Sequence, residues 1–404
     1  MDLLNRLFTK RFGPDEYATL VSKALADTGV ATVRYDEKSF SLHGPDGLVL
    51  HLQGGYSRFC AADSRDRHTV LMDLVSDFAA MASIPADFAS AKEYLLPVVR
   101  SAAFFPLARL QSQASGKADT RLGVAAQRVA DDLVVCLAYD AGGSVSYIGQ
   151  KSLDRWQVGF PEALTIARDN LRERTDPSWM AQPSPGLYVG QWGDSYESSR
   201  MLLTDLIHRL PLDGDPVVSV PSRNQLWVTG SRNASGLDST IKFCQKEHFG
   251  AYPLSPHLFV LHDREWGSFI PGFKASRDSL RHIELRRAAA DYGLQKGYLD
   301  AMNEKEAKDL FVASCTVYEE SVTERQYSVC IWSKGVDSLL PLTDEVILVI
   351  DPETKDRVSV KWSIAQSVVG RLMEKQDDLL PERYRVRSFP SQEEIAELRR
   401  ATSA

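Results

Sequence analysis

The sequence lacks the short motifs that hold metal ions, phosphates or a catalytic serine in many enzymes. It contains no HExxH and no CxxC, and no two of its eight histidines are four residues apart, so a helical metal site is not indicated. The phosphate-binding patterns GxGxxG and GxxxxGK[ST] and the GxSxG pattern of α/β-hydrolases are also missing. We therefore predict no metal ion, no cofactor and no catalytic residue of a familiar enzyme class.

The sequence also has no long apolar run and no strong excess of charge of one sign. No stretch approaches the roughly 18 consecutive apolar residues that a membrane span needs. The 47 Lys and Arg residues stand against 54 Asp and Glu residues, and the net charge of −7 offers no basic field for nucleic acid. We expect no membrane span and no nucleic-acid partner.

The five cysteines form no pattern typical of a disulfide framework. They are scattered among apolar neighbours at Cys60, Cys136, Cys244, Cys315 and Cys330. This arrangement predicts buried free thiols in a reducing compartment. The opening run MDLLNRLFTKRFGP is interrupted by polar residues and has no small-residue cleavage site, so we expect no signal peptide and a cytoplasmic protein.

What the chain does contain is an average globular composition over 404 residues, with 44% hydrophobic and 25% charged residues. A single core stops growing before this length, so several domains are expected. The small polar run QSQASGKADT, residues 111–120, predicts the first linker. We predict three α+β domains, at residues 1–112, 119–262 and 263–404.

Hydrophobic periodicity predicts short strands and helices mixed along the whole chain. The apolar run LVVCLAYD predicts a strand, and charged residues on one face predict a long helix over 278–302. Helices are also predicted over 122–132 and 196–210. Residues that alternate around the turn 221–224 predict two antiparallel strands, followed by a helix capped by Ser235. The predicted fold is therefore α+β, with several small antiparallel sheets that each pack against helices.

The run GDPVVSVPSRNQLWVTGS has a possible second copy later in the chain. The run PLTDEVILVI starts at Pro341, and both runs are followed by an amphipathic segment, a proline and another apolar run. This pattern predicts an internal duplication of a strand-strand-helix-strand unit. The alternative is that two unrelated α+β units share this much of their order.

Several runs in the first two thirds of the chain resemble the bacterial YtpQ-like family, whose function is unknown. These runs are YDAGGSVSYI, LDRW, EALTIARDNL, GDSYESSRMLL and GDPVVSVPSRNQLWVTGS. The resemblance covers about residues 1–262, so it implies a C-terminal extension, and it carries no known activity. More loosely, the helix and small-sheet units are similar to secretion-chaperone-like modules that bind partner polypeptides.

Two polar groups are the candidate contact residues. Tyr196, Ser199 and Arg200 lie in the run YESSR, and Arg223 and Asn224 lie in the predicted turn. An arginine among hydroxyl groups can hold a carboxylate or a phosphate. The structural alternatives are a helix start tied to the sheet by Arg200 and ordinary turn chemistry at Arg223 and Asn224.

The neighbouring run Gly193-Asp194-Ser195 looks like the start of a GDS-type esterase motif. Those enzymes supply the base through a downstream Asp-x-x-His, which is missing here. Ser195 is therefore interpreted as part of the start of the next helix, and no catalytic role is assigned to it.

These observations favour a non-enzymatic protein-interaction or chaperone-like module. Its partner would be another polypeptide, bound at exposed strand edges or helix grooves. The alternative is an enzyme of unrecognised, hydrolase-like class with a pocket near Tyr196, Arg200, Arg223 and Asn224. A third possibility is a structural subunit of a larger assembly, which would present a large apolar patch.

Overall fold

A computed structural model describes most of the chain and confirms the α+β class. The described residues are 12–30, 33–38, 40–44, 49–63, 66–82, 84–115, 123–141, 145–247, 252–263, 265–320 and 323–403. Within these ranges, no helix is both long and apolar enough to cross a membrane. In the same ranges, no three His, Cys, Asp or Glu residues are grouped so that they could hold a metal ion.

The helices and strands are short, apart from one long helix. The helices are α1 (Pro14–Asp27), α2 (Gln53–Ala61), α3 (Arg67–Ala82), α4 (Phe88–Ala91), α5 (Phe104–Ser115), α6 (Gln150–Trp156), α7 (Phe160–Glu173), α8 (Thr204–His208), α9 (Ala234–Glu247), α10 (Lys274–Lys305), α11 (Trp362–Val369) and α12 (Gln392–Ser403). The strands are β1 (Arg34–Asp36), β2 (Ser41–His43), β3 (Val49–His51), β4 (Leu95–Ser101), β5 (Ala126–Ala130), β6 (Leu133–Asp140), β7 (Val145–Tyr147), β8 (Met180–Ser184), β9 (Leu187–Gly190), β10 (Pro216–Ser219), β11 (Trp227–Gly230), β12 (Leu258–His262), β13 (Glu265–Ser268), β14 (Phe311–Val312), β15 (Thr316–Glu319), β16 (Gln326–Ser333), β17 (Ser338–Pro341), β18 (Glu345–Asp351), β19 (Asp356–Lys361), β20 (Glu374–Gln376) and β21 (Arg383–Val386).

The chain divides into two compact units, and each unit is built from separate stretches of sequence. The first contains Met1–Val98, Ser115–Ala126 and Cys136–Arg174, and the second contains Val99–Ala114, Gln127–Val135 and Thr175–Ala404. The division into 1–112, 119–262 and 263–404 stays a prediction. The predicted linker lies partly in α5, which continues to Ser115, and its residues 116–120 lie outside the described ranges, as do residues 1–11.

The first unit has two hydrophobic clusters. In one, α1, α2 and α3 pack together through buried side chains that include Tyr17, Leu25, Phe59 and Val75. The small antiparallel sheet of β1, β2 and β3 belongs to the same part of the chain. The second cluster surrounds Trp156 and buries apolar residues of β6, α6 and α7. Each cluster is an apolar core of its own.

The helix predicted over residues 122–132 is wrong. Residues 126–130 form β5, which lies beside β6 in a sheet of order β4, β6, β5. Ala, Gln and Arg favour a helix when taken alone, but a two-residue turn at Asp131 and Asp132 brings this segment alongside the buried β6. Pairing with a neighbouring strand thus outweighs the local preference.

The cysteines are free, but they are not all buried. Cys136, Cys244 and Cys330 are buried, and Cys315 is half-buried. Cys60 is exposed, so the expected burial is wrong at this position. It lies on α2 next to Phe59, which is the residue that faces the core. Burial raises the pKa of the Cys244 thiol to about 11, which makes that side chain a poor nucleophile at neutral pH.

The second unit contains a six-stranded sheet of order β13, β12, β10, β11, β9, β8, in which each pair is antiparallel. The predicted strands around residues 221–224 are β10 and β11, so this hairpin is confirmed. Helices α9 and α10 pack on the sheet through buried apolar residues such as Val217, Ile241, Leu258 and Ile283. Burial of these side chains is the main term that holds the layer together.

Two further four-stranded sheets lie in the second unit. Their orders are β14, β17, β21, β20 and β15, β16, β18, β19. The pairs β14–β17 and β16–β18 are parallel, so these sheets are mixed rather than purely antiparallel as predicted. Trp332, Val346, Val358 and Leu398 belong to a shared hydrophobic cluster.

The structure does not confirm the internal duplication. In the first predicted copy, the strand after the helix is β12, and it pairs with β10. In the second predicted copy, the corresponding strand is β21, which pairs with β17 and β20 and lies in a different sheet from β18. The two stretches share an order of elements along the chain but differ in strand pairing.

A buried arginine connects α10 to the sheet that contains β21. The Arg383 guanidinium donates to Gln295 Oε1 at 2.5 Å, to the carbonyls of Ala313 and Leu339 at 2.8 and 2.9 Å, and to the Tyr292 carbonyl at 3.3 Å. Burial lowers its pKa to about 10. Four acceptors around one side chain fix the helix against the strands.

Candidate functional site

The segment that carries YESSR folds as a tight turn and two short helical pieces. Gly193 and Ser195 have positive φ values of 71° and 66°. A 3-10 helix then spans Ser198–Leu202, and α8 starts at Thr204. The continuous helix predicted over 196–210 is therefore wrong. The periodic residues Leu203 and Leu206 are buried, but Leu203 has a ψ of 69° and separates the two helical pieces.

Arg200 is the fully buried centre of this segment, with 0% of its surface exposed. Its two terminal nitrogens donate to the two carboxylate oxygens of Asp194 at 2.9 and 2.7 Å. Its Nε donates to Thr175 Oγ1 at 2.8 Å, and its guanidinium carbon lies 4.3 Å from the ring centroid of Trp192. A bidentate ion pair stacked on an indole is a strong and directional anchor.

Asp194 holds both the arginine and the backbone of the turn. Besides Arg200, its Oδ1 accepts a hydrogen bond from the Tyr196 amide at 2.9 Å. Burial alone would raise the pKa of this carboxyl, but the hydrogen bonds from Arg200 and from Tyr196 outweigh it, so the pKa is lowered. The carboxylate is therefore charged at neutral pH and compensates the buried guanidinium.

Ser199 and Tyr196 also face the interior. The Ser199 hydroxyl accepts a hydrogen bond from the Val99 amide at 3.2 Å, and the Ser199 amide donates to the Tyr196 carbonyl at 3.0 Å. Both side chains are buried. These contacts are those of a segment tied to its surroundings, and a ligand contact by Tyr196, Ser199 or Arg200 stays a prediction.

The two predicted groups meet through their backbones. The Ser198 amide donates to the Arg223 carbonyl at 3.3 Å, and the Arg223 amide donates to the Tyr252 carbonyl at 3.1 Å. The turn that carries Arg223 and Asn224 is thus held between the YESSR segment and the chain before β12. The five candidate residues belong to two motifs that are separate in the sequence. The structure brings these two motifs side by side.

Arg223 differs from Arg200 because it is only half-buried. Its guanidinium carbon lies 3.8 Å from the ring centroid of Tyr252, and its Nε donates to the exposed Asn224 side chain at 3.4 Å. Tyr252 is 59% exposed. Within the described residues, the terminal nitrogens of Arg223 have no other hydrogen-bond partner. A planar cation fixed on an aromatic ring can hold a carboxylate, a phosphate or a backbone carbonyl.

Three residues of this region were not among the predicted contact residues. Tyr252 stacks on Arg223 from a distant part of the chain, and only its position directly before Pro253 marks it as a turn residue. Glu197 is 3% exposed, and its Oε1 accepts from the Gly193 amide at 2.5 Å. Its Oε2 and the hydroxyl of Ser198 are buried without a hydrogen-bond partner among the described residues. No sequence pattern distinguishes such oxygens.

A second polar cluster lies around His257, before β12. Its Nδ1 lies 3.1 Å from Glu284 Oε1, and its Nε2 lies 3.6 Å from Asp132 Oδ2. The Ser255 hydroxyl donates to the other oxygen of Asp132 at 3.0 Å. Both ring nitrogens face carboxylates, so neither is available as a catalytic base. The cluster connects the β5–β6 turn with α10.

The charges around His257 also determine its protonation. Burial alone would lower its pKa, but the hydrogen bond to Glu284 and the charges of Asp132 and Asp131 outweigh it and raise the pKa. Burial raises the pKa of Asp132 as well. Two carboxylates around one imidazole favour the imidazolium form, which donates to Glu284 and lies within ion-pair distance of Asp132.

Comparison with protein-family models, with curated proteins and with solved structures finds no match to this chain. The resemblance to the YtpQ-like family therefore stays a prediction.

Proposed function

We propose that this chain is a non-enzymatic interaction protein that binds another polypeptide at the surface formed by Arg223, Asn224 and Tyr252. The stack of Arg223 on the exposed Tyr252 is the observation that carries the proposal. Arginine and tyrosine are enriched among the residues that dominate binding at protein interfaces. The terminal nitrogens of Arg223, which have no hydrogen-bond partner among the described residues, suit a carboxylate side chain or a carbonyl of the partner.

The backbone around Arg223 supports the same proposal. Its amide donates to Tyr252 and its carbonyl accepts from Ser198, so the turn has one defined position. A side chain that is already stacked and held loses little conformational entropy when a partner binds. This preorganisation favours a binding role over an ordinary surface turn.

The proposal extends to the biological setting that the sequence suggests. We propose a bacterial, cytoplasmic, chaperone-like protein related to the YtpQ-like family, with a polypeptide partner and no nucleic-acid partner. The support is the set of sequence runs between residues 139 and 231 and the acidic net charge of −7.

The hydrolase-like alternative has weaker support. Arg200 is bound to Asp194 and Thr175, and the hydroxyl of Ser199 is bound to the Val99 amide, so these side chains are not presented to a substrate. Arg223 and Asn224 alone offer a contact but no nucleophile and no base.

Affinity purification from the source bacterium tests the proposal. The wild-type chain should recover a polypeptide in stoichiometric amount, and Arg223→Ala should reduce its recovery at least tenfold, because removal of a central arginine costs about 2 kcal/mol of binding free energy or more. Arg209→Ala is the matched control. Arg209 lies in the same unit, its side chain is exposed, and its guanidinium forms a surface ion pair with Asp205 at 3.9 Å.

Two outcomes would count against a binding role. One is a wild-type chain that recovers no stoichiometric partner. The other is a partner whose recovery falls equally with Arg223→Ala and with Arg209→Ala.

A further inference from the structure

One edge strand of the second unit has a free side, with which no strand of the described residues pairs. β15, which is Thr316–Glu319, is the end strand of the sheet β15, β16, β18, β19. On one side it pairs with β16 in a regular register from Thr316–Val329 to Glu319–Gln326. On its other side, no strand of the described residues pairs with it. Thr316, Tyr318 and Glu319 are exposed.

Other edges of the unit carry features that discourage further pairing. β8 contains Pro183 and a register shift between Ala181 and Ser184. At β13, the hydroxyl of Ser268 donates to Asp131. β15 has neither a proline nor a register shift. Helix α10 passes beside this hairpin, where His282 contacts Gln326, but it leaves Thr316, Tyr318 and Glu319 exposed. An edge of this kind is a template for another strand.

An apolar strip lies next to the open edge. Tyr318 on β15 is 49% exposed and stacks on Tyr327 of β16, with ring centroids 6.2 Å apart. Ile331 on β16 is 47% exposed and lies on the same face as Tyr327 by the alternation of the strand. Alternate side chains of an added strand would lie beside Thr316 and Tyr318, which are exposed on one face of β15.

The end of the hairpin is acidic. Glu319, Glu320 and Glu324 are exposed around the β15–β16 turn, while Arg325 of the same turn contacts Glu345. Glu319 accepts a hydrogen bond from Gln326 and Glu320 accepts one from Thr323, but none of the three glutamates forms an ion pair with another described residue. Negative charge beside this edge favours a strand that carries lysine or arginine.

We infer that β15 accepts an extended polypeptide segment by strand addition, and that the preferred segment alternates basic residues with apolar or β-branched residues. Main-chain hydrogen bonds to β15 would supply the affinity. The apolar strip and the three glutamates would determine which peptide sequence binds. The inference rests on the proposed polypeptide-binding function, but its surface is separate from the one at Arg223.

A synthetic peptide tests the inference on the full chain. The probe is a nine-residue peptide that alternates lysine with valine or threonine, blocked at both ends and labelled with a fluorophore, and its binding is measured by fluorescence anisotropy. Two control peptides have glutamate in place of lysine, or two adjacent central prolines, which remove main-chain donors on both edges of the strand. We expect at least tenfold weaker binding of both control peptides.

Variants of the chain then locate the peptide. Glu324→Lys and Tyr318→Ala should each weaken binding several-fold, because one reverses a charge at the acidic turn and the other removes half of the tyrosine stack. Glu353→Lys is the matched control, since Glu353 is an exposed glutamate in the turn at the opposite end of the same sheet. Circular dichroism confirms that each variant is folded.

The outcomes separate this inference from the proposed function. Equal binding of the proline peptide, or no loss with Glu324→Lys and Tyr318→Ala, would overturn the assignment to β15. Loss with Arg223→Ala alone would place the peptide on the other surface and leave polypeptide binding intact. If the lysine peptide fails to bind while a natural partner is recovered, the strand-edge inference fails alone.

Discussion

Arg200 and Arg223 show how one residue type serves two purposes in neighbouring segments. Arg200 is fully buried, and its charge is compensated by Asp194. Arg223 stacks on the exposed Tyr252, and its Nε donates to the neighbouring Asn224 side chain. The two arginines differ because a carboxylate lies beside the guanidinium of Arg200, whereas no described carboxylate pairs with Arg223. Both arginines stood out equally in the sequence, so the sequence could identify them but could not assign their roles.

The Arg200–Asp194 pair predicts a large loss of stability when its charge is removed. Asp194→Asn keeps the shape but leaves the buried guanidinium without a counter-ion, and we expect a loss of about 2 to 3 kcal/mol in the free energy of unfolding. Urea unfolding followed by tryptophan fluorescence measures this loss, and Trp192 lies against the pair.

Asp213→Asn is the matched control for this prediction. Asp213 pairs with Arg232, but both side chains are largely exposed, so its loss should cost less than about 1 kcal/mol. The stabilisation from Asp194 is present above the ordinary pKa of an aspartate and is lost as the pH falls through its lowered folded pKa. Equal losses for the two variants would contradict the role given to the buried pair.

His257 predicts a pH dependence of opposite sign. Its pKa is raised in the folded state, so the folded chain holds the proton more tightly than the unfolded chain. The stabilisation is fully present below the unfolded pKa of about 6.5 and is lost as the pH rises through the folded pKa. The stability difference between wild type and His257→Gln should therefore be larger at pH 6 than at pH 9.

Thermal or urea unfolding at the two pH values measures this difference. His262→Gln, which removes an exposed histidine at the end of β12, serves as the control and should show no such trend. If the stability difference between wild type and His257→Gln is constant, or grows toward pH 9, the stabilisation of protonated His257 by Asp132 and Glu284 is contradicted.

At the scale of elements, the N-cap residue of α9 differs from the one that the sequence pattern predicts. The sequence favours Ser235 as the N-cap, but the Asn233 side chain accepts the hydrogen bond from the Gly236 amide at 2.9 Å, and its Nδ2 donates to the Pro185 carbonyl at 3.0 Å. Ser235 lies inside the first turn and donates to Asn233. The predicted cap residue is therefore wrong by two positions.

Substitution of the two residues distinguishes these assignments. Asn233→Ala should destabilise the chain by about 1 to 2 kcal/mol, because it removes the cap and the contact to Pro185. Ser235→Ala should cost less than about 0.5 kcal/mol. Urea unfolding of both variants measures the costs, and a larger loss for Ser235→Ala would favour the capping pattern read from the sequence alone.

Elements with a strong pattern of their own were predictable, and elements defined by their neighbours were not. The apolar run of β6 and the long periodic segment of α10 are confirmed close to their predicted bounds. Residues 126–130 look helical by composition but pair with β6. Residues 196–210 look like one helix but are interrupted at Leu203, whose ψ of 69° is not helical. The intrinsic helix or strand propensity of a residue contributes too little free energy to determine the secondary structure of such segments.

At the scale of the whole molecule, the α+β class was predictable, but strand pairing was not. The duplication depended on element order along the chain, and order does not determine which strands become neighbours. β21 joins β17 and β20, whereas β12 joins β10. For the same reason, the sequence could not show that Tyr252 would stack on Arg223, since the two residues belong to separate segments.

The most direct test of the central claim is the dissociation constant of the purified partner, measured by isothermal titration calorimetry with the full chain. We predict that Arg223→Ala weakens binding at least tenfold, which corresponds to about 1.4 kcal/mol. Arg223→Lys should fall between this variant and wild type because lysine keeps the charge but lacks the planar guanidinium. Arg209→Ala should bind like wild type. A dissociation constant that is the same for wild type and Arg223→Ala would contradict a binding role for the Arg223 and Tyr252 surface.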